Sequence, residues 1–222
     1  MNIQTTKWTS RTLLVGFCSV VFSLYGSLAW AGTIIGTKHD FSTSGWSGGE
    51  ICVACHTPHN ADNTIAEAPL WNHALTGKTF ALYTSPSLDA TVAQPDGSSK
   101  LCLSCHDGTV ALDSFGTTTG TTFMSGSSAV GADDLGNDHP ISFTFDTTLA
   151  TTDGALYDPA ATSVTIGAGA DSKTGNIEDV MLLGGKLQCA SCHDVHNKFT
   201  NGDKLLRVAN TGSALCLTCH NK

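Results

Sequence analysis

One long apolar run stands near the start of the chain, and only short apolar patches follow it. The run LLVGFCSVVFSLYGSLAW comes after two basic residues and ends in Ala29-Trp30-Ala31. A secretory signal has this layout: basic residues at its start, an apolar middle and small residues around the cleavage site. We therefore expect residues 1–31, with Cys18, to be removed and residues 32–222 to form the mature chain. A membrane anchor is the alternative, because the run approaches spanning length.

The rest of the pattern predicts few and short elements. Ile141–Phe145 alternates apolar and polar residues like a strand, and Val164–Ile166 is a second short candidate. Ile177–Leu183 has the pattern of one or two helical turns that stop at Gly184. No segment predicts a helix of more than three turns. We expect one domain of mostly irregular structure with short helices and a few short strands.

Composition and charge narrow the function classes. The chain has 19 acidic and 11 basic residues, and the mature part keeps all of the acidic ones. Such an acidic chain argues against binding to nucleic acid or to anionic lipid, which both attract positive charge. Gly, Ser, Thr, Asp and Asn dominate and only 7% of residues are aromatic. Side chains of this kind bury little apolar surface, so another component is expected to supply the core.

The pattern Cys-x-x-Cys-His occurs four times, and it takes in every cysteine of the expected mature chain. The histidine follows the second cysteine directly in each copy, and the spacing between copies is irregular. We call the copies sites 1 to 4. They are Cys52/Cys55/His56, Cys102/Cys105/His106, Cys189/Cys192/His193 and Cys216/Cys219/His220.

This pattern predicts four covalently attached c-type haems. Two cysteines three residues apart reach both vinyl groups of a porphyrin, and the adjacent histidine binds the iron from the proximal side. Zinc or disulfides are the alternatives, but neither explains a histidine after every second cysteine. Four apolar macrocycles would also supply the missing buried mass. We expect the rings of Trp46, Trp71, Phe143 and Phe145 to pack against porphyrin faces.

The remaining histidines match the number of distal ligands that four haems need, with one in excess. Only two methionines remain in the mature chain, too few for four His/Met haems, so bis-histidine ligation is expected. The five histidines outside the motifs are His39, His59, His73, His139 and His196.

His59 and His196 each lie three residues after a motif histidine. Positions i and i+3 point to one side of a helical turn. His59 therefore does not easily reach the far face of the haem that His56 holds, and we expect it to bind another iron. The same reasoning applies to His196.

Several segments resemble exported multihaem c-type cytochromes, and in particular the tetrahaem OmcE-type cytochromes that polymerise into extracellular filaments with a continuous haem stack. The resemblance covers nearly the whole mature chain. The segments that carry it are Lys38–Ser42, Cys55–His59, Ala68–Asn72, Asn137–Ile141 and Cys192–Asn197.

The resemblance implies His39, His59, His139 and His196 as distal ligands and leaves His73 as the spare, although His73 can replace any one of them. It also implies electron conduction by a head-to-tail homopolymer in which His59 ligates a haem of the neighbouring subunit. The protein would then be exported to the cell surface, with other redox proteins or extracellular acceptors as partners.

Two other functions stay open at this stage. A monomeric periplasmic electron shuttle needs the same four bis-histidine haems. A haem enzyme needs an iron with a free coordination position. The surplus of histidines leaves no iron without a ligand, so we expect a carrier and no catalytic residues.

Overall fold

The computed structural model describes residues 33–65, 68–130, 132, 134–201 and 203–222. The expected signal segment therefore lies outside the described residues. Ala31–Lys222 form one unit. Within the described ranges, no helix is long and apolar enough to cross a membrane.

Most of this unit is irregular, and its regular elements are short. The longest helix has 10 residues, which agrees with the expected limit of three turns. The helices are α1 (Gly97–His106), α2 (Thr147–Asp153), α3 (Ile177–Val180), α4 (Cys189–Cys192) and α5 (Ala214–Cys219). The strands are β1 (Phe143–Thr144), β2 (Ser163–Ile166), β3 (Lys173–Asn176) and β4 (Lys186–Leu187). Four 3₁₀ turns span Gly126–Ser128, Gly169–Asp171, Asp203–Leu205 and Thr211–Ser213.

The strands form two separate antiparallel pairs. β1 pairs with β4, so that Phe143 lies opposite Leu187. β2 and β3 form a hairpin in which Ser163 lies opposite Asn176. Both predicted strand segments therefore contain strands. The predicted helix is shorter than expected, because regular helix ends at Val180.

An apolar side-chain core joins these strands to α3. Phe143 and Phe145 are only 8% and 3% exposed and pack with Ile166, Ile177 and Leu187. The expectation that these two rings cover porphyrin faces is therefore wrong, since little of their surface remains for a cofactor, and the same holds for Trp71, which is 7% exposed. In β1, Phe143 points inward and Thr144 points outward, because successive side chains of a strand face opposite ways.

Two smaller apolar clusters hold α1 from both sides. Leu101 packs with Trp71 and Ala68, and Leu103 packs with Phe80 and Leu135. Leucines two positions apart lie on different faces of a helix, so α1 is buried on two faces. The position of the motif that α1 carries is fixed by this packing.

Candidate haem sites

The four motifs share one backbone turn. The amide of the motif histidine donates to the carbonyl of the first cysteine in sites 1, 3 and 4, at 2.8, 3.1 and 3.0 Å. In site 2 the motif forms the last turn of α1. An i to i+4 bond of this kind closes one helical turn, which places the two cysteines of a motif on the same side. Sites 3 and 4 lie on the short helices α4 and α5, and site 2 ends the longer helix α1.

A neighbouring segment runs alongside site 1 and holds its turn in place. The amide of Thr57 donates to the carbonyl of Leu70 (2.8 Å), and the amide of Asn72 donates to that of Cys55 (2.9 Å). The side-chain amide of Asn72 also donates to Val53 (2.7 Å). Site 1 thus gains from Leu70–Asn72 the support that site 2 receives from its helix.

Three motif histidines have their Nδ1 atom on a backbone carbonyl oxygen. A carbonyl oxygen only accepts, so Nδ1 carries the proton and Nε2 keeps its lone pair for a metal. His139, outside the motifs, has the same arrangement with Pro140 (2.9 Å). The three motif bonds run from His56 to Pro69 (2.9 Å), from His106 to Ser128 (2.7 Å) and from His193 to Lys204 (2.9 Å).

Three motif histidines also face a second histidine ring. The second ring comes in each case from a residue far away in the sequence. The planes of the site 1 pair are nearly parallel, at 19°. The ring centres are separated by 6.0 Å for His39 and His106, 6.1 Å for His56 and His196, and 6.4 Å for His139 and His220.

These separations fit two imidazoles on opposite sides of one metal ion. Bonds of about 1.33 Å place each ring atom about 1.1 Å from the ring centre. A metal–imidazole bond adds about 2.0–2.1 Å on each side, so the ring centres are expected about 6.3 Å apart. Sites 1, 2 and 4 therefore each have a second imidazole at the distance that bis-histidine haem ligation requires.

Site 3 differs from the other three. Within the described part of the chain, no second histidine ring stacks on or contacts that of His193. His59 is exposed, and within the described ranges it forms hydrogen bonds through its backbone, with the Thr57 hydroxyl. Of the four histidines that the resemblance implies as distal ligands, the structure brings three to a motif histidine and does not bring His59 to one.

His73 has an environment unlike that of the paired histidines. It is 3% exposed, and its ring nitrogens face the carbonyl oxygens of Ala74 (2.8 Å) and Ala111 (3.0 Å). Its ring lies edge-on to Trp71, and Nε2 is 3.5 Å from the Cys105 sulfur. Both nitrogens are directed at protein atoms, so neither is free for a metal.

Burial favours the neutral form of two paired histidines. It lowers the pKa of His39 to about 4, and the nearby ring of His106 adds to the effect. Burial also lowers the pKa of His220, with His139 as the next contribution. Neutral imidazole is the form that binds a metal, so these sites are prepared for one.

Burial favours the protonated form of several cysteine thiols. Burial raises the pKa of Cys55 to about 11 and those of Cys105 and Cys219 to about 12. Cys102 and Cys189 form a hydrogen-bonded pair, which raises the pKa of Cys102 and lowers that of Cys189 to about 7. Within the ranges described, no three His, Cys, Asp or Glu side chains gather around a point that could hold a bare metal ion.

The motifs adjoin one another in sequence order. Cys55 of site 1 interacts with Cys105 of site 2, and Cys102 of site 2 with Cys189 of site 3. Cys192 of site 3 interacts with Cys219 of site 4. The cysteines of each site thus interact electrostatically with those of the next site along the chain.

Sites 2 and 3 are joined most closely, through the contact between α1 and α4. The amide of Cys189 donates to the Ser99 hydroxyl (3.0 Å), and the amide of Ser99 donates to Gln188 Oε1 (3.3 Å). Gln188 also accepts from the hydroxyl of Ser142 (3.0 Å) and donates to Asp96 (2.8 Å). This buried glutamine fixes the start of one motif helix against the other.

Comparison with known proteins adds one match. A family model described as a doubled CXXCH motif matches residues 183–222, which contain sites 3 and 4. The doubled motif indicates covalently bound haem c. It supports an electron-transfer role of the multihaem c-type cytochrome kind, and it implies export. None of the curated proteins compared with the chain matches it.

Sequence reasoning missed the groups that orient the motifs. The carbonyls of Pro69, Ser128 and Lys204 carry no sequence signal, because any residue supplies a carbonyl oxygen. Gln188 directly precedes the first cysteine of site 3. This position was the one sign in the sequence that Gln188 could help to orient the motif.

Proposed function

We propose that the protein carries four bis-histidine c-type haems and polymerises head to tail, so that electrons pass along the four sites and on to the next subunit. When bound, haem c supplies reversible one-electron chemistry at its iron. The polypeptide holds the ligands and sets their order. The observation that carries the proposal is the set of three histidine pairs at the separation of two imidazoles on one metal.

The ligand assignment follows from these pairs. His39, His196 and His139 serve sites 2, 1 and 4, in that order. His73 stays outside the set, since both of its ring nitrogens face carbonyl oxygens. The neutral imidazoles and the Nδ1–H bonds to carbonyls support iron binding through Nε2.

One proximal and one distal ligand remain, and they support the link between subunits. Within the described residues no histidine ring is in contact with that of His193, and His59 is exposed. His59 therefore binds the site 3 iron of a neighbouring copy. A contact that joins two different surfaces of the same chain does not close on itself, and it generates an open helical polymer. A coordination bond across this contact strengthens it beyond what its buried area provides.

The series of adjoining sites supports conduction along such a polymer. Sites 1 to 4 adjoin in order within a subunit, and the His59 ligand ties site 1 of one copy to site 3 of the next. His59 lies three residues after His56. The same short segment therefore ligates one haem of its own subunit through His56 and one haem of the neighbouring subunit through His59.

The test is the purified His59→Ala protein beside the wild type. We expect loss of filaments in electron micrographs and one high-spin haem among four in absorption and electron paramagnetic resonance spectra. Added imidazole restores the low-spin spectrum without restoring filaments, because free imidazole replaces the ligand but not the link. The matched control, Thr64→Ala, changes an exposed residue of the same loop region and should leave filaments unchanged.

Two results would contradict the proposal. Filaments of His59→Ala with four low-spin haems would remove the ligand from the interface. Native protein at monomer mass in light scattering, with four low-spin haems, would favour the monomeric shuttle. A high-spin haem in native filaments would instead support a reaction at site 3.

A further inference from the structure

His39 differs from the other paired histidines in the surroundings of its ring nitrogens. Its Nδ1 atom is buried and has no hydrogen-bond partner within the described residues. Its Nε2 atom has no partner there either but is not enclosed, so Nε2 is the nitrogen that stays open to a metal. The ring centre lies 6.0 Å from that of His106. His39 therefore serves site 2 through Nε2, while its Nδ1 faces the interior of the protein.

The neighbours of His39 explain why Nδ1 has no acceptor. The ring meets that of Phe41 edge-on, with ring centres 6.3 Å apart. Asp40 is the adjacent carboxylate in the sequence, but its own loop engages both oxygens. They accept from the amide of Gly36 (2.8 Å) and from the amide and hydroxyl of Ser42 (3.1 and 2.6 Å). Because protein atoms already enclose Nδ1, a bound haem brings no acceptor to it.

The ligand pairs of sites 1 and 4 differ from site 2 in this respect. At site 1, Nδ1 of His56 lies on a backbone carbonyl (2.9 Å), and Nδ1 of His196 lies 3.9 Å from a carboxylate oxygen of Asp194. At site 4, Nδ1 of His139 lies on a backbone carbonyl (2.9 Å), and the ring of His220 has no enclosed nitrogen without a partner. Among the described histidines, only the distal ligand of site 2 has such a nitrogen.

The partner of Nδ1–H sets how strongly an imidazole donates electrons to a metal. A hydrogen bond from Nδ1–H to an acceptor makes the ring more basic and therefore a stronger donor. A stronger donor stabilises ferric iron more than ferrous iron, because the ferric form carries one more positive charge. An imidazole whose Nδ1–H has no acceptor is a weaker donor, so the haem that it ligates is reduced more easily.

We propose that His39 is a weak-donor ligand and that it gives the site 2 haem a higher reduction potential than the haems of sites 1 and 4. An electron on the subunit is then held mainly at site 2. It arrives from another ferrous haem, which becomes ferric, and the iron ligands stay bound. This inference rests on the proposed function in needing His39 as the distal ligand of site 2, and it requires no contact between subunits.

The experiment replaces the histidine ring with a free one. His39→Gly and the matched variant His139→Gly each open one iron position, and an added imidazole fills it again. 4-Methylimidazole reproduces the histidine side chain with its N–H, whereas its isomer 1-methylimidazole has no N–H. The midpoint potential of the refilled haem is measured at saturating ligand. A difference in fit between the two isomers affects ferric and ferrous haem alike, so it cancels in the midpoint.

The two cavities should respond differently to the two ligands. At site 4 the carbonyl of Pro140 is available to the N–H of 4-methylimidazole. There we expect 4-methylimidazole to raise the oxidised-to-reduced ratio at a fixed potential about tenfold over 1-methylimidazole, which equals a midpoint lower by about 59 mV. At site 2 the two ligands should give the same ratio to within a factor of about two, because the cavity has no acceptor.

The order of the sites is tested without added ligand. Each variant removes one low-spin haem from the titration of the wild type. The midpoint that is lost in His39→Gly should lie above the midpoint lost in His139→Gly and above that lost in His196→Ala.

Two results would overturn the inference and leave the proposed function in place. One is the same response to the two ligands at sites 2 and 4, whether both midpoints differ or neither does. The other is a site 2 midpoint at or below those of sites 1 and 4. His39→Gly protein with four low-spin haems would instead contradict the ligand assignment of the proposed function, and the inference would fail with it.

The wild type provides a test that does not depend on the glycine variants. In near-infrared magnetic circular dichroism, the charge-transfer band of a ferric bis-histidine haem moves to longer wavelength as the axial ligands become weaker donors. We expect the haem with the longest-wavelength band to be reduced at a higher potential than at least two of the others. If a glycine variant does not fold, a longest-wavelength haem that is reduced below the others, or four coincident bands, would overturn the inference.

Discussion

Gln188 is the side chain whose loss should most disturb the contact between sites 2 and 3. It is 1% exposed, and its carboxamide joins three segments of the chain. The oxygen accepts from the amide of Ser99 and the hydroxyl of Ser142, and the nitrogen donates to Asp96. In Gln188→Ala all three bonds are lost together.

The expected cost follows from the two donors that remain. Ser99 and Ser142 are 0% and 2% exposed, so water does not readily replace the carboxamide oxygen. Each buried donor without an acceptor costs about 1–3 kcal/mol, and the lost bond to charged Asp96 adds to this. We expect Gln188→Ala to lower the free energy of unfolding by about 3 kcal/mol.

Gln188→Glu is the matched control. It keeps the oxygen that accepts from Ser99 and Ser142, but it places a second carboxylate oxygen where the amide nitrogen donated to Asp96 at 2.8 Å. Repulsion raises the pKa of the new carboxyl group in the folded state above its unfolded value. The folded variant then binds more protons than the unfolded chain, so its stability should increase as the pH falls from 8 to 5.

Urea unfolding followed by far-ultraviolet circular dichroism measures both effects, with the slope checked for a constant exposed surface. A loss below about 1 kcal/mol in Gln188→Ala would contradict the reasoning, because the two orphaned donors alone exceed that value. A pH profile of Gln188→Glu parallel to that of the wild type would show that Asp96 does not face the introduced carboxylate.

Three further predictions test other parts of the structure. His196→Ala should convert one haem of four, that of site 1, to the high-spin form in absorption spectra while filaments persist; two altered haems would be inconsistent with the pairing of His196 with His56 alone. Gly167→Ala should lower the free energy of unfolding by about 1–3 kcal/mol in thermal unfolding, because φ is +76° and the added Cβ would lie 2.8 Å from a backbone oxygen. Gly154→Ala, where φ is +69° and the space around the Cβ is open, should lower it by less. Burial removes solvation from the Asp96 carboxyl group, but the bonds from Lys186 and Gln188 outweigh this and lower its pKa. Asp96 therefore stabilises the fold above about pH 3.9, and this stabilisation is lost as the pH falls through the pKa of Asp96 in the folded state. Asp96→Asn should therefore flatten the acid limb of the stability curve, and an unchanged limb would argue against that pairing.

Local sequence was sufficient to predict the chemistry of the motifs. A Cys-x-x-Cys-His segment closes its own turn through one bond between its first and last residues, so its shape depends little on the rest of the chain. The short helices, the strand segments and the irregular character of the fold followed in the same way, from alternation and from the scarcity of long apolar stretches. The side-chain core around Phe143 and Phe145 did not follow, since burial of a ring depends on distant segments.

The pairing of histidines was decided by the tertiary structure alone. The sequence supplied five candidates, but His39 meets His106 and His196 meets His56 only because the folded chain brings distant loops together. The carbonyls that orient the motif rings and the buried bonds of Gln188 are also properties of long-range contact. A sequence determines which groups bind a metal, because that is a matter of atom type and local spacing. Which group meets which partner depends on packing between segments that the sequence leaves far apart.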